Sequence, residues 1–461
     1  MKLRARIYIL LIISLVGILA ACHITKRYQS PGITDTNLYR DVNTTDTNTI
    51  AVLHWKDIFT DTLLQQLIDT GIQNNLDLRV AWSRMRQAAA SYTQSRLALY
   101  PAVNGDAGAA LNSASNQQGV GRLVTPQQYN VELTATWEAD IWGKLRSNRR
   151  ANLASFLEAT ANAQAVQTGL VADIANSYYH LMALDQQLKI TEQTVINWQA
   201  TVNVMKELKK ADVVTGAAVV QSEASKYAAE VTIPDFKQSI RETENQLNLL
   251  LGKVPGTINR STLDAQQPIM LLKTGVPVQL LANRPDVQAA EYNLRYYFEL
   301  TNVARTWFYP SLTIAASGGY TSYSSFTGPG SWLGNLTASL LQPLFNQGIN
   351  QARLKIAKEQ QEQAALGFRT AVLNAGQEVS NALFSYQTAL EKANSRRLQL
   401  QNLQKSVEYT QELVRYGFAN YTEVLNAQQS LLGAQLGSVN DHLQRLQAIV
   451  YLYRALGGGW Q

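Results

Sequence analysis

An internal duplication constrains the fold of this 461-residue chain more than any other feature of its sequence. Residues 74–101 align without gaps on residues 283–310, and seven of the 28 pairs are identical. Identical pairs recur further along at an offset of 205, for example Asn176/Asn381, Glu207/Glu412, Val219/Val424 and Gly252/Gly457. Because each copy of such a repeat is one structural unit, the sequence predicts two copies of one plan. Each copy holds a helix, two strands, a long helix and a return helix.

The two repeats are predicted over residues 61–252 and 281–461. A polar extension, residues 22–60, precedes the first repeat, and a linker with several prolines and glycines, residues 253–280, joins the two. We expect both connecting segments to wrap around the middle of the helical part. The first helix of repeat one is predicted over about 61–98, because the proline that follows disfavours a longer helix.

Long helices are predicted over about 144–251 and 350–456, in stretches that are almost free of proline. Apolar residues between Leu170 and Leu208 recur about every 3.45 residues, close to the 3.5-residue repeat of coiled coils. These helices are expected to form a bundle or tube in water, since none is apolar all round. Each long helix turns back at a tip. The tip residues are Val213, Val214, Thr215 and Gly216 in the first repeat and Gly417, Phe418, Ala419 and Asn420 in the second.

Four segments alternate between apolar and polar residues, which is the pattern of strands with two different faces. They are predicted over about 102–116, 127–141, 311–323 and 332–343. A soluble antiparallel sheet also alternates in this way. Here the polar positions are consistently hydroxyl, amide or carboxylate side chains, and aromatic residues gather towards the strand ends. These two features favour strands of a transmembrane β-barrel.

Four strands are too few to close a barrel, since the smallest transmembrane barrels have about eight. An open sheet edge in lipid leaves backbone groups unpaired, at a cost of several kcal/mol for each group. Several copies of the chain must therefore share one barrel, although this argument leaves their number open. The parity of the strands predicts that four carboxylates face the lumen and favour cations. They are Asp106, Glu132, Glu138 and Asp140.

The N-terminus has the pattern of an export signal, with three basic residues followed by a short apolar run. Residues 1–21 are predicted to be removed. The order Leu19-Ala20-Ala21-Cys22 resembles a bacterial lipoprotein box, in which the cysteine is lipidated and becomes the mature N-terminus. Cys22 is also the single cysteine of the chain.

Composition disfavours several other classes of protein. The formal net charge of +6 falls to +3 without residues 1–21, and no concentrated basic stripe indicates binding of nucleic acid. One cysteine and four scattered histidines offer no spacing of metal ligands. No nucleophile–base set or phosphate-binding loop is apparent. We therefore expect neither an enzyme nor a bound cofactor or metal.

Three motifs resemble a known family. They are Arg284-Pro285-Asp286-Val287-Gln288-Ala289-Ala290-Glu291, Trp137-Glu138-Ala139-Asp140-Ile141-Trp142-Gly143 and Leu452-Tyr453-Arg454-Ala455-Leu456-Gly457-Gly458-Gly459-Trp460. With the lipoprotein box and the duplication, they identify the chain as resembling the TolC-like outer-membrane efflux factors, and most of all their OprM-like lipoprotein branch. The resemblance covers essentially the whole mature chain.

The resemblance implies an α+β membrane protein that assembles as a homotrimer. Four strands from each chain would make a 12-stranded barrel in the outer membrane, and long helices would continue it into the periplasm. The function would be that of a passive, gated conduit for substrates delivered by an inner-membrane pump, usually of the proton-driven RND class. A periplasmic adaptor would dock on the two helical tips.

The resemblance also places a periplasmic gate at the start of the last helix, where Thr422, Glu423 and Asn426 lie. Glu423 matches an acidic ring position, whereas Asn426 stands where the family often has an aspartate. Repulsion between three copies of Glu423 would make closure depend on pH or on cations. The alternative function is a periplasmic coiled-coil adaptor or scaffold lipoprotein, which would share Cys22 and the helical hairpins but would lack strands suited to lipid.

Overall fold

The computed structural model describes residues 24–32, 38–40, 49–111, 127–266, 279, 283–418 and 420–460. The predicted signal peptide and Cys22 lie outside these residues. By its internal contacts the chain divides into two compact units. The first comprises Met1–Pro31, Arg84–Thr160 and Ala289–Arg369, and the second comprises Gly32–Ser83, Ala161–Gln288 and Thr370–Gln461. In the described part of the chain, no helix combines the length and the apolar character needed to cross a membrane.

From its second helix onwards, the elements of repeat one recur in the same order in repeat two, where a single last helix matches the last two helices of repeat one. Repeat one contains α1 (Thr62–Asn74), α2 (Leu76–Leu97), β1 (Ala102–Leu111), β2 (Gln127–Ala139), α3 (Lys144–Lys210), α4 (Gly216–Glu230) and α5 (Thr232–Leu250). Repeat two contains α6 (Pro285–Thr306), β3 (Ser311–Ser322), β4 (Gly330–Leu341), α7 (Ile349–Arg415) and α8 (Tyr421–Ala455). Short helical turns also occur at Ile50–Val52, Trp55–Ile58 and Leu263–Ala265.

Equivalent helices have equal lengths. The long helices α3 and α7 each contain 67 residues, and α2 and α6 each contain 22. Gly143 and Gly348 precede the two long helices, with φ of 78° and 79°, a left-handed conformation that suits glycine. The duplication seen in the sequence is therefore present in the structure down to the residues that begin each helix.

Two segments that were each predicted as one continuous helix are interrupted in the structure. The predicted helix over 61–98 is two helices, because Asn75 has non-helical backbone angles, with φ of −57° and ψ of 129°. Its Oδ1 accepts a hydrogen bond from the Leu78 N–H. The return helix of repeat one is divided at Val231. Pro234 follows, and it has no N–H to donate to the carbonyl of Glu230. Its equivalent in the continuous helix α8 is Val439.

In both repeats, a glycine after the last helix contacts an asparagine near the beginning of the same repeat. After the return helices, Gly252 and Gly457 adopt left-handed φ values of 65° and 94°. A Cβ at either position would overlap the backbone carbonyl oxygen of Asn74 or Asn283 respectively, and these two asparagines are a matching pair of the duplication. The glycine after the last helix of each repeat thus packs directly on the backbone near the beginning of the same repeat, at Asn74 or Asn283.

The neighbouring residues repeat a hydrogen bond across the same junction. Asn75 Nδ2 donates to the carbonyl of Leu250 at 2.9 Å, and Arg284 Nη1 donates to the carbonyl of Ala455 at 2.7 Å. Arg284 is buried and also pairs with Asp286 and Glu378. Burial alone would raise the pKa of Asp286, but hydrogen bonds from Arg284 lower it below its usual value. The Arg-Pro-Asp motif therefore has a structural role in this junction.

The four strands form one antiparallel sheet in the order β1-β2-β3-β4. Trp307, in the turn before β3, lies under two cations: Lys144 Nζ is 4.5 Å and the Arg353 guanidinium 4.7 Å from its ring centre. Arg150 near the start of α3 pairs with the buried Glu299 of α6 at 2.7 Å. These contacts fix the starts of both long helices beside the base of the sheet, within the first unit.

Replacing Gly457 by alanine should destabilise the protein by roughly 2 kcal/mol or more. The left-handed backbone conformation alone costs a residue with a Cβ about 1–2 kcal/mol, and the new Cβ overlaps Asn283. The matched control is Gly433→Ala in the interior of α8, where a Cβ meets open space. This control should be stabilising by about 0.5–1 kcal/mol. Thermal unfolding of the purified protein, followed by circular dichroism, measures both changes. Equal midpoints for the two variants would contradict the role given to Gly457.

Candidate channel wall and gate

The strand register sorts the sheet into one apolar and one polar face. The apolar face collects Val103, Val131, Leu133, Trp137, Leu312, Ile314, Tyr320, Trp332, Leu336 and Leu340, which lie opposite or diagonal to one another across the four strands. Several of these side chains are exposed, and Trp332 keeps 83% of its surface. A contiguous exposed apolar face of this kind marks contact with a membrane or another protein.

The polar face carries the acidic side chains of the sheet. Asp106 of β1 lies directly opposite Glu132 of β2, and Asn130 Nδ2 is 3.3 Å from Asp106 Oδ1. Glu138 lies on the same face of β2 and pairs with Lys144 Nζ at 3.1 Å. The four strands contain no lysine or arginine. The polar face therefore bears negative charge. The carboxylates of Asp106 and Glu132 have no cationic partner within the sheet.

Asp140 differs from the other three predicted lumen residues. It lies one residue beyond the end of β2, so strand parity does not place it on the polar face. Its carboxylate accepts hydrogen bonds from the backbone N–H groups of Leu145 and Arg146, each at 2.9 Å, and pairs with the Arg146 side chain. An acceptor at the first turn of a helix satisfies its free N–H groups. Asp140 thus holds the start of α3, and it lies outside the strand whose parity predicted its place in the lumen.

The two helical tips have the same backbone geometry. In repeat one, Asp212 has φ of 55° and the Val213 N–H donates to the Leu208 carbonyl at 2.9 Å. In repeat two, Gly417 has φ of 79° and the Phe418 N–H donates to the Leu413 carbonyl at 2.8 Å. This is the Schellman motif that ends many helices.

The same turn exposes an apolar side chain at each tip. Val213 is 60% exposed and Phe418 is 82% exposed. Val214 and Thr215 complete the first turn, and Gly216 begins α4. Ala419 lies outside the described residues. Asn420 caps α8, because its Oδ1 accepts from the Thr422 N–H at 3.1 Å.

The predicted gate residues lie in the first two turns of α8. Thr422 Oγ1 donates to Asn420 Oδ1 at 2.7 Å and so belongs to the helix cap. Glu423 and Asn426 are both exposed. Since residues three apart lie on one face of a helix, these two side chains point the same way. Val424 and Leu425 between them are buried.

An apolar cluster at the tips holds the start of α8, and the sequence analysis did not predict it. It joins four helices through Met205 of α3, Val219 of α4, Val414 of α7 and Val424 of α8, with Leu208 and Tyr421 packed against it. Tyr421 also makes a 3.3 Å hydrogen bond to Gln221 of α4. The signal was present in the sequence, because Val219 and Val424 are an identical pair of the duplication. We call these six residues the tip cluster.

A family model described as outer membrane efflux protein matches residues 67–253 and 276–458. The chain belongs to this outer membrane efflux protein family. The two matched segments correspond to the two repeats.

Two curated relatives and one solved structure illustrate the similarity. The chain is 31% identical to the probable efflux pump outer membrane protein TtgC of Pseudomonas putida, over 88% of this chain and 85% of that protein. It is 27% identical to the probable outer membrane lipoprotein SilC of Salmonella typhimurium, over 98% of each. The solved structure of the outer-membrane channel OprN covers 95% of this chain and 100% of its own, with 25% identity and a TM-score of 0.84.

These findings confirm the predicted family, its fold class of membrane strands continued by long helices in two repeats, and its function as the outer-membrane channel component of an efflux system. The protein acts at the outer membrane and extends into the periplasm. The family consists of channel and transport proteins, so the channel is favoured over the alternative of an adaptor or scaffold lipoprotein.

Proposed function

We propose that three copies of this chain form one 12-stranded barrel and act as a passive, gated conduit for an inner-membrane pump. The observation that carries this proposal is a sheet of four strands with one exposed apolar face, one acidic face and two unpaired edges. Among the described residues, β1 pairs only with β2, and β4 only with β3. In lipid, these edges need partners. Pairing β1 of one copy with β4 of the next keeps the antiparallel order and closes the wall.

The acidic face lines the lumen of this barrel. Asp106 and Glu132 supply most of its charge, since Glu138 is partly neutralised by Lys144. A ring of carboxylates in a pore attracts cations and repels anions. Three copies bring three such pairs of carboxylates together, so the open channel prefers cations.

The gate is at the start of α8. Glu423 and Asn426 face the pore axis, with Thr422 fixing the first turn through the helix cap. The tip cluster holds this helix start against α3 and α4 and so stabilises the closed state. Three Glu423 carboxylates near the axis repel one another, and divalent cations that bind between them favour closure.

The tips are the docking sites of a periplasmic adaptor. Val213 and Phe418 offer exposed apolar contacts at equivalent positions. Val214, Thr215, Gly216, Gly417, Ala419 and Asn420 complete the two turns. The adaptor links the channel to a pump of the proton-driven RND class.

Cys22 is the lipid attachment site. Support comes from the segment that follows it, which is held on α6: the Lys26 N–H donates to Asn302 Oδ1 at 3.0 Å, and Asn302 Nδ2 donates to the Lys26 carbonyl at 2.9 Å. The chain four residues after the cysteine is thus held on α6, in the unit that contains the sheet. Cells fed an alkyne-tagged palmitate should label the wild-type protein and fail to label Cys22→Ser. Equal labelling of this variant would exclude Cys22.

Recordings in planar lipid bilayers test the conduit. The purified protein should form channels that prefer potassium to chloride. The double variant Asp106→Asn, Glu132→Gln should lose most of this preference, because it removes the two carboxylates that have no cationic partner within the sheet. Reversal potentials in a salt gradient measure it. The control is Asp235→Asn, Glu242→Gln, which removes two exposed carboxylates from α5 and should leave the preference unchanged.

The same recordings test the gate. Millimolar Mg²⁺ on the periplasmic side should lower the open probability of the wild-type channel. The Glu423→Gln variant should still conduct but should not respond to Mg²⁺. Glu412→Gln, an exposed carboxylate of α7, is the control and should respond like the wild type. A sample that never conducts would refute the conduit, whereas an unchanged Mg²⁺ response in Glu423→Gln would refute only the gate.

A further inference from the structure

The junction between β2 and β3 joins the two repeats of one chain, and the duplication makes it a template for a junction between two chains. The two hairpins have the same register, since Ala102 pairs with Thr136 and Ser311 pairs with Leu341. Ser311 continues the gap-free alignment of the first helices, and Leu341 follows Thr136 at the offset of 205. The strands of the two repeats can therefore be matched residue by residue.

A hydrogen bond at the base of each hairpin supports this match. Trp137 Nε1 donates to the Leu99 carbonyl at 3.0 Å, and Gln342 Nε2 donates to the Phe308 carbonyl at 3.3 Å. Both donors and both acceptors are equivalent positions of the duplication. The hairpins thus share their geometry at the level of single contacts.

Within one chain, the connection that follows β2 covers the start of β3. The ring centre of Trp142 lies 5.1 Å from that of Tyr309, and Trp142 Nε1 donates to the Pro310 carbonyl at 2.7 Å. Tyr309 and Pro310 match Tyr100 and Pro101 before β1. Tyr309 is 40% exposed, whereas Tyr100 is 69% exposed. Tyr100 therefore lacks the cover that its equivalent has.

The connection that follows β4 exposes two large apolar side chains. Leu344 is 95% exposed and Phe345 is 86% exposed. The duplication places Gln347 at the position of Trp142, so Phe345, two residues earlier, is the aromatic ring of this connection. Exposed apolar side chains beside an unpaired strand edge indicate a partner that covers both.

We propose that Leu344 and Phe345 of one copy dock on Val103 and Tyr100 of the next copy, and that β4 pairs with β1 in the register of β2 with β3. Leu344 holds the position of Ala139, which pairs with the equivalent of Val103 in β3. Val103 is 67% exposed, so both halves of this contact are open in the single chain. The docking contact rests on the proposed assembly of three copies.

The same template gives the pairs of the strand ladder. Ala135 pairs with Ala316, Leu133 with Gly318 and Val131 with Tyr320. The equivalent pairs, with the second residue of each on the next copy, are Leu340 with Ala107, Ala338 with Ala109 and Leu336 with Leu111.

The faces of the sheet provide an independent check of this register. All three derived pairs place an apolar residue of β4 opposite an apolar residue of β1. A register shifted by one residue would place the apolar face of β4 against the polar face of β1. The template therefore continues the apolar face around the barrel, although it was derived from backbone pairing alone.

Cysteine cross-linking in membranes tests the register. The variant Leu340→Cys, Ala107→Cys should form covalent dimers and trimers on mild oxidation, seen on denaturing gels. A disulfide needs Cα atoms within roughly 7 Å. In one chain these residues lie on opposite edges of the sheet, three strand spacings or about 14 Å apart, so a cross-link joins two copies. The two single variants are the blanks.

Two further pairs test registers shifted by two residues, which keep the faces matched. Leu340→Cys combined with Gly105→Cys or with Ala109→Cys should cross-link roughly tenfold more slowly, because such diagonal Cα atoms are about 7–8 Å apart. Faster cross-linking of either pair would overturn the register. No cross-link in any of the three pairs, in a protein that is still trimeric, would refute the junction and leave the proposed function intact. A protein of single chains would refute the proposed function itself.

The docking contact is tested by the temperature at which trimers dissociate in sodium dodecyl sulfate. Phe345→Ala and Tyr100→Ala should each lower it by several degrees, and the combined variant should lower it by less than the sum, because both changes remove one contact. Phe418→Ala removes a ring that is 82% exposed at a helical tip and should leave this temperature unchanged. Unchanged dissociation of Phe345→Ala and Tyr100→Ala would show that the two rings face lipid or water, and would overturn the docking.

Discussion

The unpaired edges of a four-stranded sheet are the constraint on which the rest of the structure depends. β1 has 10 residues and β4 has 12, and in the part of the chain that the structure describes each is hydrogen-bonded on one side only. About half of the backbone groups of an edge strand face outwards, so each edge presents on the order of ten unpaired groups, each costing several kcal/mol in lipid. No rearrangement within one chain of four strands removes this cost. Sharing the barrel between copies removes it completely.

Because of the duplication, each repeat has its own contact between its last helix and its beginning. The left-handed glycine after each return helix packs on an asparagine carbonyl at the start of the same repeat, and a side-chain donor repeats the contact one residue later. The donor is Asn75 in one repeat and Arg284 in the other. The backbone contact has thus been kept while the side chains around it diverged, and the second repeat has gained an ion-pair network with Asp286 and Glu378.

Much of the architecture could be predicted from the sequence because it depends on local periodicity. Period-two alternation identified both faces of the sheet, and the absence of proline indicated the long helices. Strand parity does not apply at Asp140, because the strand has already ended there and the start of α3 engages the carboxylate. The tip cluster joins residues more than 200 positions apart, such as Val219 and Val424. Only the three-dimensional packing of α4 against α8 brings such residues together.

The number of chains in one barrel tests the account most directly. Native mass spectrometry of the protein, extracted in detergent and released from its micelle in the gas phase, measures this number without assuming a shape. The account predicts a single dominant species with three times the mass of the lipidated mature chain. A dominant species of one chain, from a sample that had been fully inserted in the membrane, would contradict it.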